Sequence, residues 1–295
     1  MDVGPLKPEY LFRPSQLARR LRAAIAGRPA RSLVRLPWGL PIEVATGETI
    51  GRGLYDLGVY DLPVSEVLWR LTDPGDHCAD IGANVGVFSG LLAIRAGPGG
   101  AVRALEPHPE IHHDLCETVR RWRAAPGLAD IEVCAAAAAA TDGRAELVEP
   151  EAFGANRGRA TLFPPVGEER RRSWSVTTVT LDGFLHDWAG VGVLKVDVEG
   201  AEPAVLDGAR HLLAGGRIRD IVLEDHAPQP SVLADRLRAV GYRVWAIAST
   251  FWGPHLADPA RLRPSPYLAP SLLATLEPDR AVARLAAAGW RCLRS

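Results

Sequence analysis

The chain has 295 residues, 47% of them hydrophobic, enough for one large α/β domain with additions or for two modest domains around a substantial apolar core. A net charge of -1, from 34 basic and 35 acidic residues, gives no overall electrostatic case for binding nucleic acid or an acidic membrane surface. The cysteines Cys78, Cys116, Cys134 and Cys292 form no CxxC pair, the amino terminus lacks the apolar core of a secretory signal, and no run of about 18 apolar residues occurs; a zinc ribbon, a dithiol redox site and a membrane span are therefore not expected, and a cytoplasmic location is.

Along the chain, Leu17, Leu21, Ala24 and Ile25 recur at helical spacing between Ser15 and Gly27, which predicts an amino-terminal helix. From Ser32 to Leu57, short apolar runs broken by Pro37, Pro41 and Gly47 predict strands or a hairpin. Residues 1–61 are thus read as a helix and strand extension, and 62–295 as the main domain. In the latter, a helix near Val64–Leu71 precedes alternating strands and helices: strands at 77–81, 101–105, 131–135, 191–198, 218–224 and 242–247, with a last at 271–276. Such alternation implies a seven-stranded, mostly parallel sheet with right-handed crossovers and helices on both faces. Residues 149–175, rich in Gly, Pro and Arg, lack periodicity and read as an insertion, either a solvated loop or a flap over a substrate. The alanine run 135–140 begins as a continuation of a strand.

A strand ending in Asp80, followed by Gly82, Asn84 and Gly86 at the turn into a helix, lets backbone approach a ligand at the carboxyl edge of the sheet. Glu106 ends the next predicted strand, where a carboxylate can accept hydrogen bonds from both hydroxyls of a ribose. Both features suit NAD as well as S-adenosylmethionine. Dinucleotide binding usually needs G-x-G-x-x-G to set a helix amino terminus against a pyrophosphate, and the pattern here is Asp80-x-Gly82-x-Asn84-x-Gly86. S-adenosylmethionine, which has no phosphate but carries an ammonium, fits better, with Asp80 facing the positive end. Asn84 can alternatively cap the following helix. Small side chains at Cys134 and Ala135 are placed beside an adenine ring, although small residues at a strand end are also ordinary packing.

The segment Val193–Glu202 alternates with period two, so that Lys195, Asp197 and Glu199 share one face. Charges in a central strand are costly unless paired, which leaves an internal ion network or a functional cluster as the readings. With Asp80-Ile81-Gly82-Ala83-Asn84-Val85-Gly86, Glu106-Pro107, Val179-Thr180-Leu181-Asp182, Leu194-Lys195-Val196-Asp197-Val198-Glu199-Gly200-Ala201-Glu202 and Ile221-Val222-Leu223-Glu224 in this order, the sequence resembles the FkbM family of methyltransferases. The resemblance spans roughly 62–242. It implies a Rossmann-like class I fold, S-adenosylmethionine as methyl donor, and O-methylation of a hydroxyl on a small molecule, natural product or sugar.

For such a transfer the acceptor must be aligned and water excluded, and a protonated alcohol benefits from a general base. Asp197, Glu199, Glu224 and His226 stand at the correct edge, with Lys195 positioning a carboxylate. Asp197, Glu199 and Glu224 could instead supply oxygen ligands to a divalent metal. His112-His113-Asp114 reads as an exposed helix face, and Glu202 as a residue favouring a helix start. The loop Phe251-Trp252-Gly253-Pro254-His255 reads as core packing or as a platform over the active edge. An N-methyltransferase, an NAD-dependent oxidoreductase and a non-catalytic cofactor-binding protein remain as competing functions, and the amino-terminal helix and apolar carboxyl-terminal segment could serve a homodimer.

Overall fold

The computed structural model describes residues 7–154, 156–164, 170–225, 231–261 and 270–294. Helices α1 (Pro8–Phe12) and α2 (Pro14–Ala26) lead into a hairpin of β1 (Arg31–Arg35) and β2 (Pro41–Ala45), followed by α3 (Thr49–Leu57) and α4 (Leu62–Leu71). Next come β3 (His77–Ile81), α5 (Val87–Ala96), β4 (Ala101–Leu105), α6 (Pro109–Trp122) and β5 (Asp130–Cys134). A small three-stranded unit is built from β6 (Ala136–Ala138), β7 (Gly143–Pro150) and β8 (Arg170–Val179). The chain continues through α7 (Leu181–Phe184), β9 (Val191–Val196), α8 (Glu202–Asp207), α9 (Arg210–Ala214), β10 (Ile218–Glu224), α10 (Val232–Ala239), β11 (Arg243–Thr250), β12 (Gly253–Ala257), β13 (Ser271–Thr275) and α11 (Pro278–Leu285).

The main sheet runs β12-β11-β13-β10-β9-β3-β4-β5. Strands β5, β4, β3, β9 and β10 are mutually parallel, and β13 runs antiparallel between β10 and β11. Period-two alternation divides the central strands between two cores. Cys78, Val193 and Val222 join one apolar cluster, whereas Ala79, Ile81, Leu194, Val196 and Ile221 join the other. Both faces are therefore covered, as a parallel sheet requires. Asp80 and Lys195 are register partners on neighbouring strands, so the alternation that buries their neighbours sets the two charges side by side.

All seven expected strands form, and an eighth, β12, joins them through a hairpin at Phe251–Trp252. That hairpin is held by the carboxyl-terminal segment: Trp290 Nε1 donates to Phe251 O at 2.9 Å, while the Trp252 ring stays exposed. The platform reading of this aromatic loop fails, since neither ring lines the cavity described below.

The amino-terminal extension shares its core with the main domain. Val34, Ile42, Ile50 and Leu54 pack in the same cluster as Leu91, Leu92 and Trp122, and Trp122 Nε1 donates to Pro41 O at 2.6 Å. Residues 49–57, expected as part of a strand region, are helical; Gly58 ends α3 in the left-handed region, where glycine is favoured. Among its described residues, the insertion expected at 149–175 contains regular elements. Its ends are the arms of the β7–β8 pair, and two single turns, 151–154 and 157–159, lie between them. The alanine run is split, because β5 stops at Cys134 and Ala136–Ala138 pairs with β8 in the smaller sheet.

Candidate active site

The carboxyl ends of β3, β4 and β9 converge on one tight turn. A side chain at Gly82 would put its Cβ 1.8 Å from the carbonyl oxygen of Asp197, so glycine is what allows the turn after β3 to sit against the end of β9. Gly86, at φ 94°, caps α5, and a Cβ there would lie 2.7 Å from Leu115 Cδ1 and against Trp122. Both glycines are thus required by the protein's own packing as well as by their positive φ.

Asn84 also adopts a left-handed conformation, φ 50°, which aims its backbone N–H at Glu106 Oε2, 2.9 Å away. The N–H of His108 donates to Oε1 of the same carboxylate at 2.9 Å. Glu106 is nearly buried, and burial pushes its carboxyl up to about 7 despite these two donors. Each oxygen keeps a lone pair, so a diol can still be received.

A cavity of about 460 Å³ opens at this edge, within the range of small-molecule sites. Toward β4 its wall is Glu106 with an apolar slot of Leu105, Ile111 and Ala136–Ala138. Toward β9 and β10 it is Lys195, Asp197, Glu199 and Glu224. Gly82 and Asn84 form the floor between them. Two further contributors line it: Thr49, Ile50 and Tyr60 from the amino-terminal extension, which the sequence did not point to, and Asn156–Ala160 with Leu162 from the insertion. Arg157 is anchored to Asp114 of α6 at 2.7 Å, and Thr161 Oγ1 donates to Glu199 O at 2.8 Å, so the described part of the insertion is tied to both walls of the cavity it lines.

Several expected positions differ. Asp80 does not line the cavity: it is fully buried, accepts from Ser89 Oγ at 2.6 Å and pairs with Lys195 Nζ at 3.3 Å. Lys195 also donates to Gly82 O at 2.9 Å and lies 3.5 Å from Asp197 Oδ2. Burial opposes its charge, but Asp80 and Asp197 outweigh burial and hold its pKa above the ordinary lysine value. The cluster is therefore an ion network inside the fold whose half-buried member, Asp197, borders the cavity. Gly86, Cys134 and Ala135 stand off the cavity too; the slot beside Glu106 is made by the next three alanines, because the chain leaves β5 at Cys134.

Glu199 does not continue the strand alternation. Strand β9 ends at Val196, and Glu199 at φ 51° followed by Gly200 at φ 95° forms a turn stapled by Glu202 Oε1, which accepts from the N–H groups of Val198 and Gly200 at 3.3 and 3.2 Å. Glu202 also opens α8, as expected. Among the described residues no three or more His, Cys, Asp or Glu side chains gather in a metal-binding arrangement, Asp197, Glu199 and Glu224 included. His226 lies outside the described residues.

S-adenosylmethionine fits what is present: a nearly buried carboxylate with free lone pairs, an apolar slot of small side chains beside it, and a carboxylate-lined space beyond. A pyrophosphate fits less well, because the Gly86 face at the start of α5 is filled by Leu115 and Trp122. Residues 80–244 match the family model of the Methyltransferase FkbM domain. The chain belongs to this family.

The FkbM domain here shows the class I methyltransferase fold, in the strand order β5-β4-β3-β9-β10-β13-β11 with the antiparallel β13. Its family is one of methyltransferases. No curated protein sequence matches it. Similar solved structures include an FkbM methyltransferase from Methylobacillus flagellatus, at 14% identity and TM-score 0.46 over 75% of this chain. Others are an S-adenosylmethionine-dependent O-methyltransferase from Thermotoga maritima, at 17% identity and TM-score 0.41 over 74% of this chain and 65% of its own, and fibrillarin from Aeropyrum pernix with natively bound S-adenosylmethionine, at 16% identity and TM-score 0.41 over 83% and 94%. The chain spans about half, 52%, of the Methylobacillus protein. Among its described residues no helix is long and apolar enough to cross a membrane.

Proposed function

We propose that this protein methylates a hydroxyl group of a small-molecule or sugar-containing acceptor, with S-adenosylmethionine as donor. The observation that carries the reading is the division of one cavity into a ribose-accepting end at Glu106 and a carboxylate-lined end at Asp197, Glu199 and Glu224. When bound, the donor supplies a methyl group on a positively charged sulfur, ready for in-line displacement. The protein's part is to hold the acceptor oxygen in line, exclude water and take up a proton.

Glu106 orients the nucleoside through its two spare lone pairs, and the alanine slot takes the flat base. Lys195, bound to Asp80 and to Gly82 O, is a positioning residue that fixes the floor of the site. Asp197 and Glu224 face the acceptor as hydrogen-bond acceptors. The flap from Asn156 to Leu162, with Ile50 and Tyr60 opposite, closes the top and keeps the reacting centre dry. A cavity of this volume and a net charge of -1 favour a small acceptor over a nucleic acid or a membrane surface.

Incubation with a panel of hydroxylated metabolites and sugars, followed by detection of S-adenosylhomocysteine and location of the new methyl carbon by NMR, tests the reading. Methyl carbons on oxygen are expected. Transfer to nitrogen alone, or cofactor binding without transfer to any acceptor, contradicts it; the first outcome points to an N-methyltransferase and the second to a binding protein.

A further inference from the structure

The turn between α3 and α4 brings to the acceptor end two residues that no motif marks. Tyr60 lines the main cavity, its ring centroid 6.3 Å from that of Phe88, whose face in turn lies 5.1 Å from Lys195 Nζ. Asp61 follows it and caps α4, accepting the N–H of Val64 at 3.2 Å through Oδ1. Behind Tyr60 the cavity has a niche of about 10 Å³, walled by Tyr60, Asp61, Lys195, Asp197, Glu224 and Ser271. That is the size of roughly one water molecule; Val64, Phe88, Val196, Val222 and Leu223 make the rest of the wall mostly apolar, and the carboxyl and ammonium groups are the polar partners on offer to a water there. Tyr60, Phe88, Lys195, Asp197 and Glu224 border both spaces, so the niche adjoins the acceptor end of the cavity.

We propose that Asp61 is the proton acceptor of the transfer, taking the acceptor hydroxyl proton across this niche. The inference rests on the O-methylation reading. As the acceptor oxygen forms its bond to the methyl carbon, the carbon–sulfur bond breaks and its electron pair stays on sulfur. The hydroxyl proton passes to Asp61 through a single water and from there to solvent.

The neighbours of Asp61 suit it to this task. Burial of its carboxyl raises its proton affinity; Glu224 from β10 and Asp197 from the end of β9 raise it further, while the Val64 N–H of the helix cap and Lys195 oppose them. The balance lies at about 7, where a general base both exists in its ionised form and holds a proton well. Asp197, by contrast, is engaged by Lys195. The phenol of Tyr60 is kept un-ionised by burial and by Asp197, Asp61, Glu224 and Glu199 around it, so it serves as wall and hydrogen-bond donor.

Asp61→Asn is the test, because asparagine also caps helices and tolerates the left-handed backbone seen here, φ 39°. At saturating cofactor, kcat is expected to fall about 100-fold and its pH limb near 7 to disappear, with S-adenosylhomocysteine affinity unchanged within about twofold. Infrared difference titration of the cofactor-free protein gives a readout independent of turnover. Two carboxyl bands should titrate near pH 7 in the wild type, from Glu106 and Asp61, and one in the variant. Unchanged kcat and pH profile in the variant, or a wild-type Asp61 ionised throughout pH 5–9, overturns the proposal while leaving O-methylation standing. Absence of methyl transfer to any hydroxyl by the wild type overturns both.

Discussion

Glu106→Gln is expected to weaken binding of S-adenosylhomocysteine by between about 10²- and 10³-fold, measured by titration calorimetry at pH 8. Each hydrogen bond from a sugar hydroxyl to a charged carboxylate is worth about 1.5–3 kcal/mol, and this site offers two. The amide keeps one acceptor and turns an NH₂ group toward a backbone N–H of Asn84 or His108, both of which point at the native carboxylate. The same carboxyl supplies a pH signature. Its proton affinity is raised to about 7 by burial, and only the ionised form accepts from both hydroxyls, so wild-type affinity should fall as pH drops below about 7 and level off above it. The variant should show no such dependence over that range.

The second large effect concerns Lys195. Removing its charge with Lys195→Met strands Asp80 in the core, where its only other side-chain hydrogen bond among the described residues is from Ser89. Breaking one half of a buried pair costs about 3–5 kcal/mol, and the Met variant should lose that much in urea denaturation. Asp80→Asn keeps an oxygen for Ser89 and removes the unpaired charge. The double variant Asp80→Asn, Lys195→Met is therefore expected to recover more than half of the loss, a coupling that independent sites would not show. Strictly additive losses would mean that the two residues act separately.

Much of the site was readable because its chemistry is local in sequence. Asp80 to Gly86 is a strand, a turn and a helix start in seven residues, and Glu106 falls where the next strand must end. What the sequence could not show is which residues face the ligand and which face the protein. Gly82 and Gly86 both read as close approaches to a cofactor, yet the atoms that exclude a side chain at them belong to Asp197, Leu115 and Trp122. Asp80 read as a ligand partner because its register partner, Lys195, lies 115 positions away on a strand whose neighbour is set only by the topology.

The same limit explains the missed wall. Ile50 and Tyr60 reach the cavity by packing over long sequence separations, and their own segment carries no periodicity that points to a ligand; for the insertion, composition alone left a solvated loop and a flap both open. A weaker signal was present at Asp61-Leu62-Pro63: a capping residue followed by proline marks a helix start, and the helix start fixes the turn that carries Tyr60. Alternation misled at Glu199, because a period-two pattern says nothing of where a strand stops, and the left-handed turn at Glu199–Gly200 ends it early.

The central claim is that the cavity at the end of β3 and β4 accepts S-adenosylmethionine. Titration calorimetry of the wild-type protein with S-adenosylhomocysteine and, separately, with NAD tests it most directly. Saturable one-to-one binding of S-adenosylhomocysteine with no comparable binding of NAD is predicted; tight binding of NAD alone, or of neither ligand, would contradict it.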